Sequence, residues 1–170
     1  TQVPDVINGE SVVRYSDDDI GQTTTDIAAN EPIAIVFAAA QRSTGRSDYL
    51  IDGGSSDEAA IQESSGDYFL QRGGSNGGGV GSVDTDFHIF SLILDNTDDI
   101  TLRKDGSALP TQTASPSGLT GATLAGKADL STSNDQDMDW AEVTVLEDYP
   151  TSDLTDEEQR QAGKYGISIS

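Results

Sequence analysis

The chain has 170 residues and carries 30 acidic against 9 basic side chains, a formal net charge of -21. That length suits one domain of ordinary size, and the charge repels nucleic acid and anionic membranes. No cysteine is present, which excludes disulfides, thiolate catalysis and cysteine-ligated zinc or iron–sulfur centres.

Residues 1–20 open with a Pro-containing segment and an Asn8-Gly9 turn, followed by a short strand from Ser11 to Tyr15 that three aspartates close. Residues 32–40, PIAIVFAAA, are the strongest apolar run, and their length and β-branched content predict a central buried strand. The three alanines leave room for a helix, but Pro32 and the brevity of the run weigh against one. SDYLIDGG, EAAIQES and DYFLQRGG read as successive strands with turns at Gly53-Gly54, Ser65-Gly66 and Gly73-Gly74. Residues 73–81, GGSNGGGVG, read as a flexible connection; they lack the Gly-Lys-Ser/Thr ending of a phosphate loop.

A second long strand is expected at 87–95, then a turn at 96–99, a strand from Ile100 to Lys104 and a hairpin at Asp105-Gly106. Between 114 and 134 only Leu119, Leu124 and Leu130 offer weak strand anchors. Residues 138–146, MDWAEVTVL, form the last clear strand, in which Val143 and Val145 share a face and Trp140 takes the other unless a bulge intervenes. A helix is predicted over 155–164, capped by Ser152 or Thr155 and stopped by Gly166, with ISIS as a closing strand. Many short strands and one terminal helix argue for an all-β sandwich.

The 22 Asp and 8 Glu are spread between the apolar runs instead of gathering in a tail, and basic residues adjoin only at Arg103-Lys104. This describes a folded protein with a carboxylate-saturated face. At molar salt the screening length falls to about 3 Å, which relieves the self-repulsion, so a high-salt environment is expected. No apolar stretch approaches membrane-spanning length, and nothing at the N-terminus reads as a signal peptide. The chain starts at Thr1, so an initiator Met or a longer upstream segment is expected to have been removed.

Four stretches in order, INGESVVRYSDDDI (7–20), PIAIVFAAAQR (32–42), FHIFSLILDNTDDITLRKDGSAL (87–109) and MDWAEVTVLEDYPTSDLTDEEQRQAGKYGI (138–167), resemble the laminin G-like branch of the concanavalin A-like lectin/glucanase superfamily. The most specific is the last, with its strand, capped helix and Lys-Tyr-Gly ending. The resemblance implies one concanavalin A-like jelly-roll sandwich over 1–170, made of two antiparallel sheets with one short C-terminal helix. Many relatives carry another strand ahead of the Asn-Gly turn, where this chain has seven residues, so the N-terminal edge is expected to be completed by a partner or by a longer polypeptide. The similarity extends to modules in surface and virion proteins of prokaryotes and their viruses.

Glycoside hydrolysis needs paired carboxyls about 5–5.5 Å apart for retention or about 6.5–9.5 Å for inversion. Asp137, Asp139 and Glu142 resemble the glucanase Glu-x-Asp-x-Glu arrangement in its longer form, but Asp137 replaces the first Glu and a bulge must return Glu142 to the face of Asp139. No catalytic residue is therefore assigned. Calcium is the more plausible ion, since several relatives hold it through loop carboxylates. The candidates are Asp17, Asp18 and Asp19; Asp95, Asp98 and Asp99; and Asp135 with Asp137. Trp140 is a candidate glycan contact, weighed against a core role. His88 stands alone in its strand and reads as structural, and Arg42, Arg46 and Arg72 read as surface partners of the carboxylates.

The reading that follows is a non-enzymatic structural or interaction module, extracellular, on a virion or cell surface in high salt, contacting other subunits of an assembly. A carbohydrate-binding, calcium-assisted attachment domain is the alternative, and a glycosidase the least favoured. Neither nucleic acid nor membrane insertion is expected.

Overall fold

The apolar run of the sequence becomes a nine-residue strand, Ile33–Gln41, buried at every position. The computed structural model of the protein describes residues 1–16, 19–22, 32–45, 47–54, 59–73, 75–113, 119, 121–128 and 136–170. In chain order the strands are β1 (Gln2–Ile7), β2 (Glu10–Tyr15), β3 (Gly21–Gln22), β4 (Ile33–Gln41), β5 (Tyr49–Gly53), β6 (Ala59–Ser64) and β7 (Asp67–Arg72). Then follow β8 (Ser75–Ser82), β9 (His88–Leu94), β10 (Asp99–Lys104), β11 (Ser107–Ala108), β12 (Gln112–Thr113), β13 (Ala122–Leu124), β14 (Met138–Glu147) and the helix α1 (Thr151–Tyr165). They build two sheets, one ordered β1-β2-β14-β4-β9-β10-β11 with β12 also on β10, the other β3-β13-β5-β6-β7-β8. Every described pairing is antiparallel. This is the all-β jelly roll with one C-terminal helix.

Alternation along β4 explains why its sequence is apolar throughout. Ile33, Ile35, Phe37 and Ala39 point into the sandwich, meeting Leu50, Ile61 and Leu70 of the second sheet. Ala34, Val36 and Ala38 point the other way, under Leu154, Ala162 and Tyr165 of α1. The alanines that left a helix open are thus the small surface on which the helix lands. Buried Glu158 of α1 fixes it there, accepting from Arg103 Nε at 2.8 Å, Arg103 Nη2 at 3.0 Å and Ser91 Oγ at 2.7 Å.

Three two-residue turns close hairpins with positive φ at both positions: Asn8-Gly9, Ser65-Gly66 and Asp105-Gly106. This is the primed geometry that matches strand twist. Asn8 also donates from Nδ2 to the carbonyl of Lys164 at 2.8 Å, tying the first hairpin to the end of the helix.

Several expectations are corrected. The glycine-rich stretch is strand β8, close-packed at two of its glycines: a Cβ on Gly77 would come within 2.6 Å of the Gln112 side chain and one on Gly79 within 3.2 Å of Asp67. The helix begins at Thr151, four residues before the predicted start, behind Pro150, whose φ of -73° suits the position; no side chain caps it. Ser152 and Thr155 lie inside the helix, where Thr155 Oγ1 bonds back to the carbonyl of Thr151. Residues 167–170 form no strand. The seven residues before the Asn-Gly turn form β1, which pairs with β2 and is the edge strand of its sheet, carrying Pro4 and a register irregularity between Val3 and Ile7. Arg72 is wholly buried, not superficial, and donates from Nη1 to the carbonyls of Asp99 (3.0 Å) and Asp95 (3.4 Å), stapling one sheet to a turn of the other. Leu130 and Arg46 lie outside the described residues.

Candidate functional site

The bulge demanded by the carboxylate set is present. Trp140 opposes Ala39 while Glu142 opposes Ala38, so Ala141 is the extra residue and Asp139 and Glu142 return to one face. That face is the outer one, beneath α1. Asp139 is held by both oxygens on Arg14, at 2.7 Å from Nε and 2.6 Å from Nη2, and Asp137 by Arg42 Nη2 at 3.2 Å. Glu142 accepts from Arg160, from Lys164 Nζ at 3.0 Å and from Tyr165 Oη at 2.9 Å. Burial would raise its pKa, but these three donors hold it below the ordinary range. A glycosidase's general acid needs the opposite displacement. The trio is a set of ion pairs in which Asp139 ties β2 to β14, Glu142 ties α1 to β14, and Asp137 pairs with Arg42 just beyond β4.

The same bulge turns Trp140 inward. It is 3% exposed and stacks on Phe37 at 4.5 Å between ring centroids, so of the two roles weighed for it, glycan contact and core anchor, it has the core one. Of the calcium candidates, Asp17, Asp18 and Asp135 lie outside the described residues. Asp19 Oδ2 accepts from the Ser16 amide at 3.4 Å. Asp95 Oδ1 accepts from the Thr97 amide (2.9 Å), Thr97 Oγ1 (2.8 Å) and the Asp99 amide (3.0 Å), which spends that oxygen on closing the β9–β10 turn. Asp98 sits beside it with φ 66°. The carbonyls of Asp95 and Asp99 accept from Arg72, so a guanidinium occupies the side of the turn where a loop-bound cation would draw carbonyl oxygens. Among the described residues no group of three or more His, Cys, Asp or Glu side chains is disposed to hold a metal.

A cavity of about 450 Å³ opens between the β10–β11 hairpin and residues 168–170. Leu109 and Ile169 give it apolar walls, while Lys104, Asp105, Ser107 and Ser170 give it polar groups. The tail is fastened to the turn by the Ser170 amide on the Asp105 carbonyl at 3.1 Å and by a 2.6 Å hydroxyl contact between Ser107 and Ser170. Gly106 permits this approach: its φ is +80°, and a Cβ there would meet the Ser170 carbonyl oxygen at 2.7 Å.

Behind the cavity lies His88, whose partners the sequence did not reveal. Its Nδ1 is 2.6 Å from Asp105 Oδ2 and its Nε2 is 2.7 Å from Asp84 Oδ1. Asp84 Oδ2 also accepts from Lys104 Nζ at 2.8 Å, and Asp105 Oδ1 from the Ile89 amide at 3.0 Å. Burial would lower the His88 pKa, but its bonds to Asp105 and Asp84 outweigh it and hold it above the ordinary value. Burial would raise Asp84, yet Lys104 and His88 pull it down to about 2. The Asp84-x-x-x-His88 spacing was the one signal in the sequence; Asp105 joins only through the pairing of β9 with β10.

No family model matches the chain, and no curated protein matches it significantly in sequence. Solved structures do. The binding domain of botulinum neurotoxin DC in complex with SialylT is similar over 94% of this chain and 44% of its own, with TM-score 0.64 and 12% identity. A botulinum neurotoxin type C structure, described through its interaction with two ganglioside molecules, is similar over 94% and 44%, with TM-score 0.62 and 11% identity. A Trypanosoma rangeli sialidase in complex with 2,3-difluorosialic acid is similar over 91% and 27%, with TM-score 0.63 and 10% identity. The chain therefore spans less than half the length of these proteins, and at such identities the likeness is one of fold. It is the fold of toxin binding domains and a sialidase, which overturns the expected laminin G-like virion or surface module of a salt-loving host. Two of the three are described as binding or ganglioside-interacting proteins and the third as a sialidase. Among the described residues no helix is long and apolar enough to cross a membrane.

Proposed function

We propose that the chain is a carbohydrate-binding attachment module acting outside the cell, and that its site is the cavity at the β10–β11 hairpin. The observation that carries this reading is the cavity's mixed lining. A pyranose ring offers an apolar C–H face and a rim of hydroxyls. Leu109 and Ile169 suit the first, and Asp105, Ser107, Ser170 and Lys104 suit the second. The toxin binding domains that share the fold are described with a sialylated ligand and with gangliosides, which supports glycans as the ligand class. Attachment without turnover fits the ion-paired state of Asp137, Asp139 and Glu142.

The test is a glycan array followed by calorimetry on the hits, run with calcium and again with a chelator, which also decides the calcium question. Saturable binding to an oligosaccharide is expected. Ser107→Trp, which fills the cavity from an exposed position, should reduce it at least about tenfold, equivalent to about 1.4 kcal/mol, with an unchanged unfolding midpoint. Failure to bind any glycan in either buffer, or binding that Ser107→Trp leaves intact, would remove the cavity from consideration.

A further inference from the structure

A neutral imidazole has one N–H and one lone pair, and can donate to a single acceptor. His88 has a carboxylate oxygen at 2.6 Å from one ring nitrogen and another at 2.7 Å from the other. Both bonds form only if both nitrogens carry hydrogen, which makes the ring an imidazolium in this arrangement. Deprotonation would leave a lone pair facing a carboxylate on one side. The two acceptors belong to different segments: Asp84 to the loop between β8 and β9, Asp105 to the turn between β10 and β11. Asp105 is also a wall of the cavity, as is Lys104, which shares Asp84 with the imidazole.

The surroundings favour the cation and leave the site open to proton exchange. The ring is half-buried, with Phe90 of β9 edge-on at 5.8 Å and Ala39 of β4 opposite in the ladder. The charged or titratable groups around it are Asp84 and exposed Asp86 from its own loop and Lys104 and Asp105 from β10 and its turn. Tyr68 of β7 lies under the Lys104 ammonium at 5.7 Å, and Glu63 of β6 acts on that tyrosine. Two carboxylates in direct contact against one adjacent ammonium favour the cation, and water can reach the site through Asp84, whose side chain is 45% exposed.

We propose that His88 is a pH-operated clasp: as imidazolium it binds the 83–87 loop to the Lys104–Ser107 hairpin, and on losing its proton it releases Asp105 and changes the cavity. Its effect on a ligand rests on the glycan reading; the clasp itself rests on the geometry. The direction follows from linkage. The closed state has the higher histidine pKa, so closure is favoured at low pH and is lost as pH rises through that value.

His88 is the sole histidine of the chain, so its ring resonances need no assignment by mutation. The experiment is an NMR titration of the protein, with amide exchange at Ile89, Asp105 and Gly106 corrected for the intrinsic pH dependence. The imidazole should titrate above the ordinary value of about 6.5, and between that value and its own midpoint local opening should rise by about tenfold per pH unit. His88→Gln, which does not titrate and whose two N–H donors share one nitrogen, should abolish that pH dependence. If that variant does not fold, Asp84→Asn should lower the imidazole midpoint while Lys104 keeps an oxygen partner. Titration at or below the ordinary value, or titration that leaves the three amides unchanged, would overturn the clasp. A glycan that binds at low pH and weakens across the imidazole midpoint supports it further. Absence of glycan binding at every pH counts against the cavity's assigned ligand, while the titration still decides the clasp.

Discussion

Glu158 shows how one residue can fix the relation of helix to sheet. Its side chain is 1% exposed, and its carboxylate is met by the guanidinium of Arg103 and the hydroxyl of Ser91. Glu158→Ala leaves a half-buried guanidinium without its counter-charge, and breaking such a pair costs about 3 kcal/mol. Urea unfolding should show that loss at an unchanged slope. Trp140 is the second such residue. Removing the indole by Trp140→Ala empties the space against Phe37 and should cost about 3–5 kcal/mol. A core role for Trp140 is among the readings that its sequence offers, but the role of Glu158 is not. Glu158 reads as one of several first-turn acids, and its partner is 55 residues away. His88 was opaque for the same reason, since Asp105 reaches it only when two strands pair.

At the scale of elements, the β14 bulge decides which side chains enter the core. With Ala141 as the extra residue, Trp140 and Val145 face the core, Val143 lies on their side of the strand but stays exposed, and Asp139 and Glu142 take the outer face. Deleting Ala141 would remove the bulge and leave Glu142 opposite Ala38 and Val143 opposite Phe37, so the faces are kept, whereas inserting an alanine between Val143 and Thr144 would slip everything beyond it by one position and exchange inner for outer side chains. The insertion should give a chain that fails to fold cooperatively, whereas the Ala141 deletion should still fold and Ala141→Gly should melt within a few degrees of the parent; circular dichroism melts decide between them. Gly166 is the corresponding device for α1, a left-handed residue at φ 69° whose amide reaches the Ala162 carbonyl. Gly166→Ala should cost about 1 kcal/mol, measured by the same unfolding curves. These elements were the legible part of the sequence. Apolar runs with β-branched residues marked the long strands, Asn-Gly, Ser-Gly and Asp-Gly marked the hairpins, and Gly166 marked the helix end. Illegible were β8, whose glycines pack closely against Gln112 and Asp67 on neighbouring segments, and the helix start, where a proline stands in place of a polar cap.

For the whole molecule, charge is the quantity that the fold leaves unbalanced. The described ion pairs consume most of the few cations: Arg14, Arg42, Arg103, Lys104, Arg160 and Lys164 each face a carboxylate. The net charge of -21 therefore resides in carboxylates without cationic partners, and their mutual repulsion opposes compaction. Two paired carboxylates, Asp84 and Glu157, are held down to about 2, the first against its burial by Lys104 and His88, the second chiefly by Arg160. Their stabilisation is present above the ordinary carboxylate range and is lost as pH falls through about 2. Salt acts on the repulsive part. Between about 0.1 M and 2 M KCl the screening length contracts from about 10 Å to a few ångströms, so thermal stability at pH 7 should rise strongly. Salt also strengthens apolar burial, and that contribution persists when charge is removed. Near the calculated isoelectric pH of about 4.1 the net repulsion vanishes. If carboxylate repulsion is the main strain, the rise in melting temperature with KCl should be much smaller there than at pH 7. Equal rises at the two pH values would attribute the salt response to the core and leave the acidic surface energetically silent.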